Sequence, residues 1–243
     1  MMIVRQYEPS LGAGRSVKES ESTIFENLQS KFSRRLVTKT AARNCYAIVP
    51  AAGHSQRMGR PKLLLAWRQG FVVDAVLAAW TASRVSRTVV VVRQDDEPLR
   101  QACEKWPVDV VCATDPPDMK ASVQIGLQYL GDTYSPGHRD ACFVAPADLP
   151  MLTSAIIDHL VGEPFDLEST ILAPRFGDKS GHPVLLPWAL TDQIFRLGSD
   201  QGVNQVVKQN LVQHVLFPES DRVTDIDTPE SYQAALRAAN QQP

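Results

Sequence analysis

Short, uninterrupted apolar runs recur along most of this chain, separated by stretches whose apolar residues return at helical intervals. That alternation constrains the fold more than any other sequence feature. The runs Tyr46–Pro50, Thr88–Val92, Asp109–Cys112, Ala141–Ala145, Thr170–Ala173, Val184–Leu186 and Val212–Phe217 read as strands. Most are continuous rather than alternating, which suits strands covered on both faces. Between them, Val73, Val76, Leu77 and Trp80 share one helical face, as do Met119, Val123, Leu127 and Leu130. Further helices are expected over Glu97–Lys105, Thr153–Val161, Pro187–Leu197, Gly202–Gln209 and Pro229–Ala239, with Thr153 and Thr228 as N-caps and Pro229 in a first turn. Strand–helix alternation of this kind predicts βαβ units and an α/β fold with a mostly parallel sheet. Ligands in such sheets bind beyond the carboxyl ends of the strands, so the loops after Pro50, Ala145 and Phe217 are where a site is expected.

Residues 1–44 do not share the pattern. They carry eight basic and four acidic residues, a local charge of +4, while the rest of the chain is at −6. This segment reads as a basic, flexible extension or as translation begun too far upstream, and residues 45–243 as the folded domain. One amphipathic helix, Ser22–Leu36, is the alternative, which would make the segment a docking or targeting element. Its Gly12-Ala-Gly14 lacks a preceding strand and a closing Gly-Lys-Ser/Thr, and so makes a poor phosphate loop. An acidic body argues against nucleic acid as a partner. No apolar run approaches the ~20 residues that span a bilayer, and the start of the chain is charged too early for a secretory signal. Cys45, Cys103, Cys112 and Cys142 form no C-x-x-C pair, so neither a zinc site nor a disulfide framework is indicated, and a cytoplasmic location is expected.

The chemistry concentrates in the loop leaving the first strand, Pro50-Ala-Ala-Gly-His-Ser-Gln-Arg-Met-Gly-Arg-Pro-Lys62. Ala51, Ala52 and Gly53 let a ligand come close to the backbone, and Gly59 allows a second tight bend. Successive N–H groups in such a turn cradle phosphate oxygens, and Arg57, Arg60 and Lys62 add positive charge. A triphosphate matches these features better than a neutral ligand. The loop is neither Gly-x-Gly-x-x-Gly nor a Walker sequence. A second candidate is Asp148, in Ala145-Pro-Ala-Asp148-Leu-Pro150, a carboxylate after an apolar strand and a natural partner for a hard cation.

The run Val-Pro-Ala-Ala-Gly-x-Ser-x-Arg-Met-Gly-x-Pro-Lys resembles the signature loop of nucleotidyltransferases with a Rossmann-like sheet. Within them, residues 46–232 are most similar to the molybdenum cofactor cytidylyltransferase and guanylyltransferase group. The resemblance implies a Rossmann-like three-layer sandwich of nucleotidyltransferase type. It implies nucleotide binding by Ala51, Ala52, Gly53, Ser55, Arg57, Gly59, Lys62 and Ser122, with Arg57, Lys62 and Asp148 catalytic. Ser122 lies in Asp118-Met-Lys-Ala-Ser122-Val-Gln-Ile-Gly126-Leu127, a helix start at which the family has Gly where this chain has Asp118. Free N–H groups in that first turn would favour an anion. Asp148 and Asp227, from Thr224-Asp-Ile-Asp227-Thr-Pro-Glu230, are implied Mg²⁺ ligands, with Asp225 in reserve for the second place. His182, in Gly181-His-Pro183, is implied to hold the acceptor.

The implied reaction is Mg²⁺-dependent attack by a phosphate oxygen of a small acceptor on the α-phosphorus of a nucleoside triphosphate, with pyrophosphate leaving. The implied acceptor is the molybdopterin cofactor, and the product could pass to a molybdoenzyme. Pro50-Ala-Ala-Gly53 points to CTP, where the guanylyl group has Leu-Ala-Gly-Gly. A guanylyltransferase, a cytidylyltransferase for isoprenoid or sugar phosphates, and a non-catalytic protein delivering a nucleotide-bearing cofactor remain open. His54, His138, His159 and His214 carry no assigned role, and the four tryptophans read as core or cleft wall.

Overall fold

The computed structural model describes residues 43–241, so the readings of residues 1–42, the helix over Ser22–Leu36 included, lie outside the described residues. In chain order the elements are β1 (Cys45–Pro50), the ribbon β2 (Ala66–Trp67) and β3 (Gly70–Phe71), α1 (Val72–Thr81), β4 (Arg87–Arg93), α2 (Glu97–Cys103), β5 (Asp109–Ala113), α3 (Met119–Tyr134), β6 (Ala141–Val144), α4 (Ser154–Gly162), β7 (Thr170–Phe176), β8 (Lys179–Ser180), β9 (Val184–Pro187), α5 (Asp192–Phe195), α6 (Asn204–Gln209), β10 (Leu211–Phe217) and α7 (Pro229–Gln241). The main sheet runs β10-β7-β9-β6-β1-β4-β5, with β8 paired to β7. The pairs β1–β4, β1–β6, β4–β5 and β7–β10 are parallel, whereas β9 is antiparallel to both of its neighbours.

The continuous apolar runs are explained by two cores, one on each face. Cys45, Ala47 and Val49 of β1 pack on one side with Val76, Leu77 and Trp80 of α1, Ile157 and Leu160 of α4, and Tyr232 of α7. Tyr46 and Ile48 pack on the other with Val123, Leu127 and Leu130 of α3, Ile194 of α5 and Val206 of α6. Successive strand residues point to opposite faces, and here both faces are dry. Trp80 and Phe143 lie with ring centroids 5.4 Å apart in the first core; full burial of side chains of this size is worth about 1.5–3 kcal/mol each.

Every strand read from the sequence is present, with ends shifted by three residues at most. One helix is corrected. The span Pro187–Leu197 is a single 3-10 turn, Trp188–Leu190, followed by the four-residue α5. The break falls at Thr191, whose hydroxyl donates to the Trp188 carbonyl (2.7 Å), a local bond that competes with helix continuation. Thr153 caps α4 as expected, accepting the Ile156 N–H at 3.3 Å. At the start of α7, Thr228 and Ser231 cap each other: the Thr228 N–H donates to Ser231 Oγ (3.0 Å) and the Ser231 N–H to Thr228 Oγ1 (3.2 Å).

The strand order places the site. The chain runs from β1 outward to β4 and β5, then returns across the sheet to β6 on the other side of β1. Loops leaving β1 and β6 therefore diverge at a switch point, the usual place for a crevice in an open α/β sheet.

Candidate functional site

The loop after β1 is tied down at both ends. The Ala51 N–H donates to the Val91 carbonyl at the end of β4 (2.8 Å). Ser55 adopts a left-handed conformation (φ 51°), as does Gly59 (φ 68°), and the two bends fold residues 55–59 into a 3-10 turn. Ser55 Oγ accepts the Lys62 N–H at 3.2 Å, closing the loop. Among the described residues the N–H groups of Ala52, Gly53, His54 and Ser55 find no acceptor. A Cβ on Gly53 would meet nothing within 4 Å. The loop thus presents backbone donors to open space, a shape suited to an oxyanion.

Lys62 begins a short turn anchored by buried Leu63, and its ammonium reaches two carboxylates from distant parts of the chain. One is Asp148 Oδ2; the other is Asp227 Oδ1, at 2.7 Å. Arg57 donates to the remaining oxygen of Asp227 at 2.6 Å. Backbone bonds explain how these groups meet. The Ala147 N–H donates to the Pro50 carbonyl (3.2 Å), joining the loop after β6 to that after β1. The Ile226 N–H donates to the Asp148 carbonyl (3.2 Å), and the Ile226 side chain is fully buried. Asp227 is therefore delivered beside Asp148 by the segment between β10 and α7.

Burial pushes the Lys62 ammonium down, but Asp148 and Asp227 outweigh it and the net direction is up. For Asp227, burial pushes the carboxyl up, but Lys62 and Arg57 hold it below its ordinary range. The side chain of Asp148 is only 10% exposed, and its Oδ1 is buried without a hydrogen-bond partner. Such an atom is costly unless something pairs with it. Two carboxylates, one with an orphaned oxygen, fit a hard divalent cation that takes one or two carboxylates and completes its shell with water and phosphate. Among the described residues no cluster of three or more His, Cys, Asp or Glu side chains is placed to hold a metal.

Two cavities meet at this network. The first, about 400 Å³, is lined by Ala51, Ala52, Gly53, Ser55, Arg57, Lys62, Ser122, Asp148 and Asp227, together with His54, Asp118 and Met119. The second, about 420 Å³, shares Arg57, Met119, Asp148 and Asp227 with it and adds His182, Arg222 and Asp225. Asp225 lines only this second cavity, whereas Asp227 lines both. His182 has a buried Nδ1 without a partner, and burial pushes its imidazole down against the opposing pull of Asp148 and Asp225. Gly59 lies on neither cavity and lines a third behind the loop.

Ser122 is corrected in one respect. Its N–H is not free but donates to the Asp118 carbonyl (3.3 Å), and its hydroxyl lies 3.4 Å from the same oxygen. Asp118, where the family has Gly, is the N-cap of α3 and accepts the Ala121 N–H at 2.7 Å. The free donors of that turn are thus those of Met119 and Lys120. His54, given no role by the sequence, sits in the cavity wall. Its Nδ1 accepts from Arg93 at 3.0 Å, and its Nε2 faces Asp115 at 3.3 Å. Because Arg only donates, the ring proton is on Nε2. No local signal marks this residue; its partners come from the ends of β4 and β5.

An open sheet with a glycine-bearing loop at its switch point, unpaired amides, two cations and two converging carboxylates defines a nucleotide-handling α/β protein. The chain belongs to the family of proteins with a MobA-like NTP transferase domain, whose model matches residues 47–215, and it is a nucleotidyltransferase. It is 22% identical over 198 residues to a probable molybdenum cofactor guanylyltransferase of Mycobacterium avium, covering 79% of this chain and 94% of that one. Its fold is similar to that of molybdopterin-guanine dinucleotide biosynthesis protein A from Archaeoglobus fulgidus (TM-score 0.59, 17% identity, 81% of this chain and all of the other). It is also similar to a Mycobacterium tuberculosis protein crystallised in complex with manganese (TM-score 0.65, 22% identity, 81% of this chain and all of the other). Among the described residues no helix is long and apolar enough to cross a membrane.

Proposed function

We propose that the protein transfers a nucleotidyl group from a nucleoside triphosphate to the phosphate of a molybdopterin-type acceptor and releases pyrophosphate. The observation that carries this reading is the convergence of Lys62 on Asp148 and Asp227, both carboxylates standing on the wall shared by two cavities. The triphosphate belongs in the first cavity, its oxygens facing the free amides of 52–55. The acceptor belongs in the second, beside His182. Its phosphate oxygen attacks the α-phosphorus, the bond to the α–β bridging oxygen breaks, and that electron pair leaves with pyrophosphate. Little covalent help is needed; such transfers depend on in-line positioning and charge neutralisation.

A divalent cation held by Asp148 and Asp227, Mg²⁺ or Mn²⁺, would neutralise phosphate charge. Arg57 and Lys62 serve the same end from the chain itself. No general base is required, because a phosphate monoester is already anionic near neutral pH.

The names of the curated relatives support GTP as the donor, and GTP is the base we adopt. CTP is retained as the second reading because the loop begins Pro50-Ala-Ala-Gly53, as in the cytidylyl enzymes that the sequence resembles. Pyrophosphate release, measured with each of the four triphosphates, Mg²⁺ and molybdopterin, tests the reading. GTP is expected to turn over fastest, and D148N to lose most of the rate while remaining folded. CTP turning over fastest would reverse the base assignment. No release with any triphosphate would favour a delivery protein that binds without catalysis.

A further inference from the structure

The front of the loop after β1 faces the nucleotide cavity, and its back faces another. This rear cavity, about 390 Å³, lies between the loop and the ends of β4 and α2. Gly53, His54, Ser55, Gln56, Lys62 and Leu63 line both, so the loop is a partition between them.

The rear cavity is cationic. Arg60, Arg93 and Lys62 line it against one carboxylate, Asp96, and Asp96 is already engaged as the N-cap of α2, accepting the Leu99 N–H at 3.3 Å. Arg93 is held in place before any ligand arrives. Its side chain is only 16% exposed; Nε donates to Asp95 (2.8 Å) and one terminal nitrogen to His54 (3.0 Å). A guanidinium has five N–H donors, so several remain for a ligand. Arg60, grouped by the sequence with the cations suited to a triphosphate, lines this cavity and not the first, and it makes no ion pair among the described residues. The only aromatic side chain in the lining is His54, so the wall is dominated by cationic groups rather than by stacking surfaces. The chemistry fits a compact oligophosphate without a nucleoside.

We propose that this rear cavity is a pyrophosphate site, which receives the leaving group across the partition formed by residues 53–56. The assignment rests on the transfer reaction proposed above. That reaction produces pyrophosphate on the front of the same loop, and Lys62 is among the residues that line both cavities. The same donors could instead serve the β,γ end of the incoming triphosphate, and the test separates the two sources.

Pyrophosphate binding to the full chain, without nucleotide or metal, is measured by calorimetry for wild type, R60A and R93Q. Pyrophosphate inhibition of the transfer reaction and the KM for the triphosphate are measured alongside. Each variant is expected to weaken pyrophosphate binding and product inhibition by about tenfold, a loss typical of one charged contact, while the triphosphate KM stays within about twofold. R60A lies on an exposed turn and keeps the test valid should R93Q fold poorly. Unchanged pyrophosphate binding with a raised triphosphate KM would assign the arginines to the substrate and overturn the proposal. No change in either quantity would also overturn it. Failure of the transfer reading is distinguishable: no turnover would occur with any triphosphate, whatever the variants do to pyrophosphate binding.

Discussion

Removing the Lys62 ammonium would leave Asp148 and Asp227 facing each other without the cation that now bridges them. Asp148 is nearly buried, and a partly buried charge that loses its partner is destabilised by about 3–5 kcal/mol in the deepest cases; some of that is recovered here through Arg57 on Asp227. K62A should therefore lower stability and, separately, reduce kcat by about 10²–10³-fold, as loss of one preorganised transition-state contact does. An effect confined to KM, measured by steady-state kinetics, would mean that Lys62 binds only ground-state phosphate. The same network has a pH signature. The folded value of Asp227 is lowered from 3.8. Its contribution to stability is therefore complete above that value and disappears as the pH falls through the lowered one. Urea midpoints should show an acid loss below about pH 4 that D227N lacks; identical slopes in the two proteins would contradict the pairing.

The element that brings Met119 and Ser122 to the first cavity is α3, and its approach to β1 depends on Gly126. A Cβ there would lie 2.8 Å from Ile48 Cγ2, a branch methyl of a fully buried residue. G126A is expected to cost about 1–3 kcal/mol, the range for overpacked cores, and I48A, which removes Cγ2, should combine with it to cost less than the sum of the two single changes. Denaturant unfolding of the single and double variants checks this. The elements themselves were legible where burial is two-sided, because strands such as Thr88–Val92 show unbroken apolar runs. The pairs β2–β3 and β7–β8 were not, since two-residue strands such as Lys179–Ser180 carry no period. The antiparallel direction of β9 was equally hidden: Val184–Pro187 is buried throughout and reads like its parallel neighbours.

At the scale of the whole molecule, the site is assembled from three loops at the carboxyl ends of the strands: 51–62 after β1, 145–150 after β6, and 218–228 after β10. The strand pattern pointed to all three, because parallel strands bring their carboxyl ends together. The resemblance named Asp227 ahead of Asp225, but no feature of the residues themselves says which acidic residue after Phe217 turns toward Lys62. That choice is made by the Ile226–Asp148 backbone bond and by burial of Ile226, both long-range. His54 escaped for the same reason, its partners lying 39 and 61 residues away. Arg43, at the start of the described residues, donates to the Glu163 carbonyl at the end of α4 (3.0 Å) and so ties that end of the domain down. A chain beginning at Arg43 is therefore expected to fold and to turn over like the full chain; a large loss of activity would give residues 1–42 a role in the reaction.

The account turns on Asp148 and Asp227 sharing one divalent cation beside the nucleotide cradle. Crystals grown with Mn²⁺ and a non-hydrolysable triphosphate would locate the ion by its anomalous signal. The predicted peak lies within coordination distance of both carboxylates and of a phosphate oxygen. A peak away from both carboxylates, with the triphosphate bound, would contradict it.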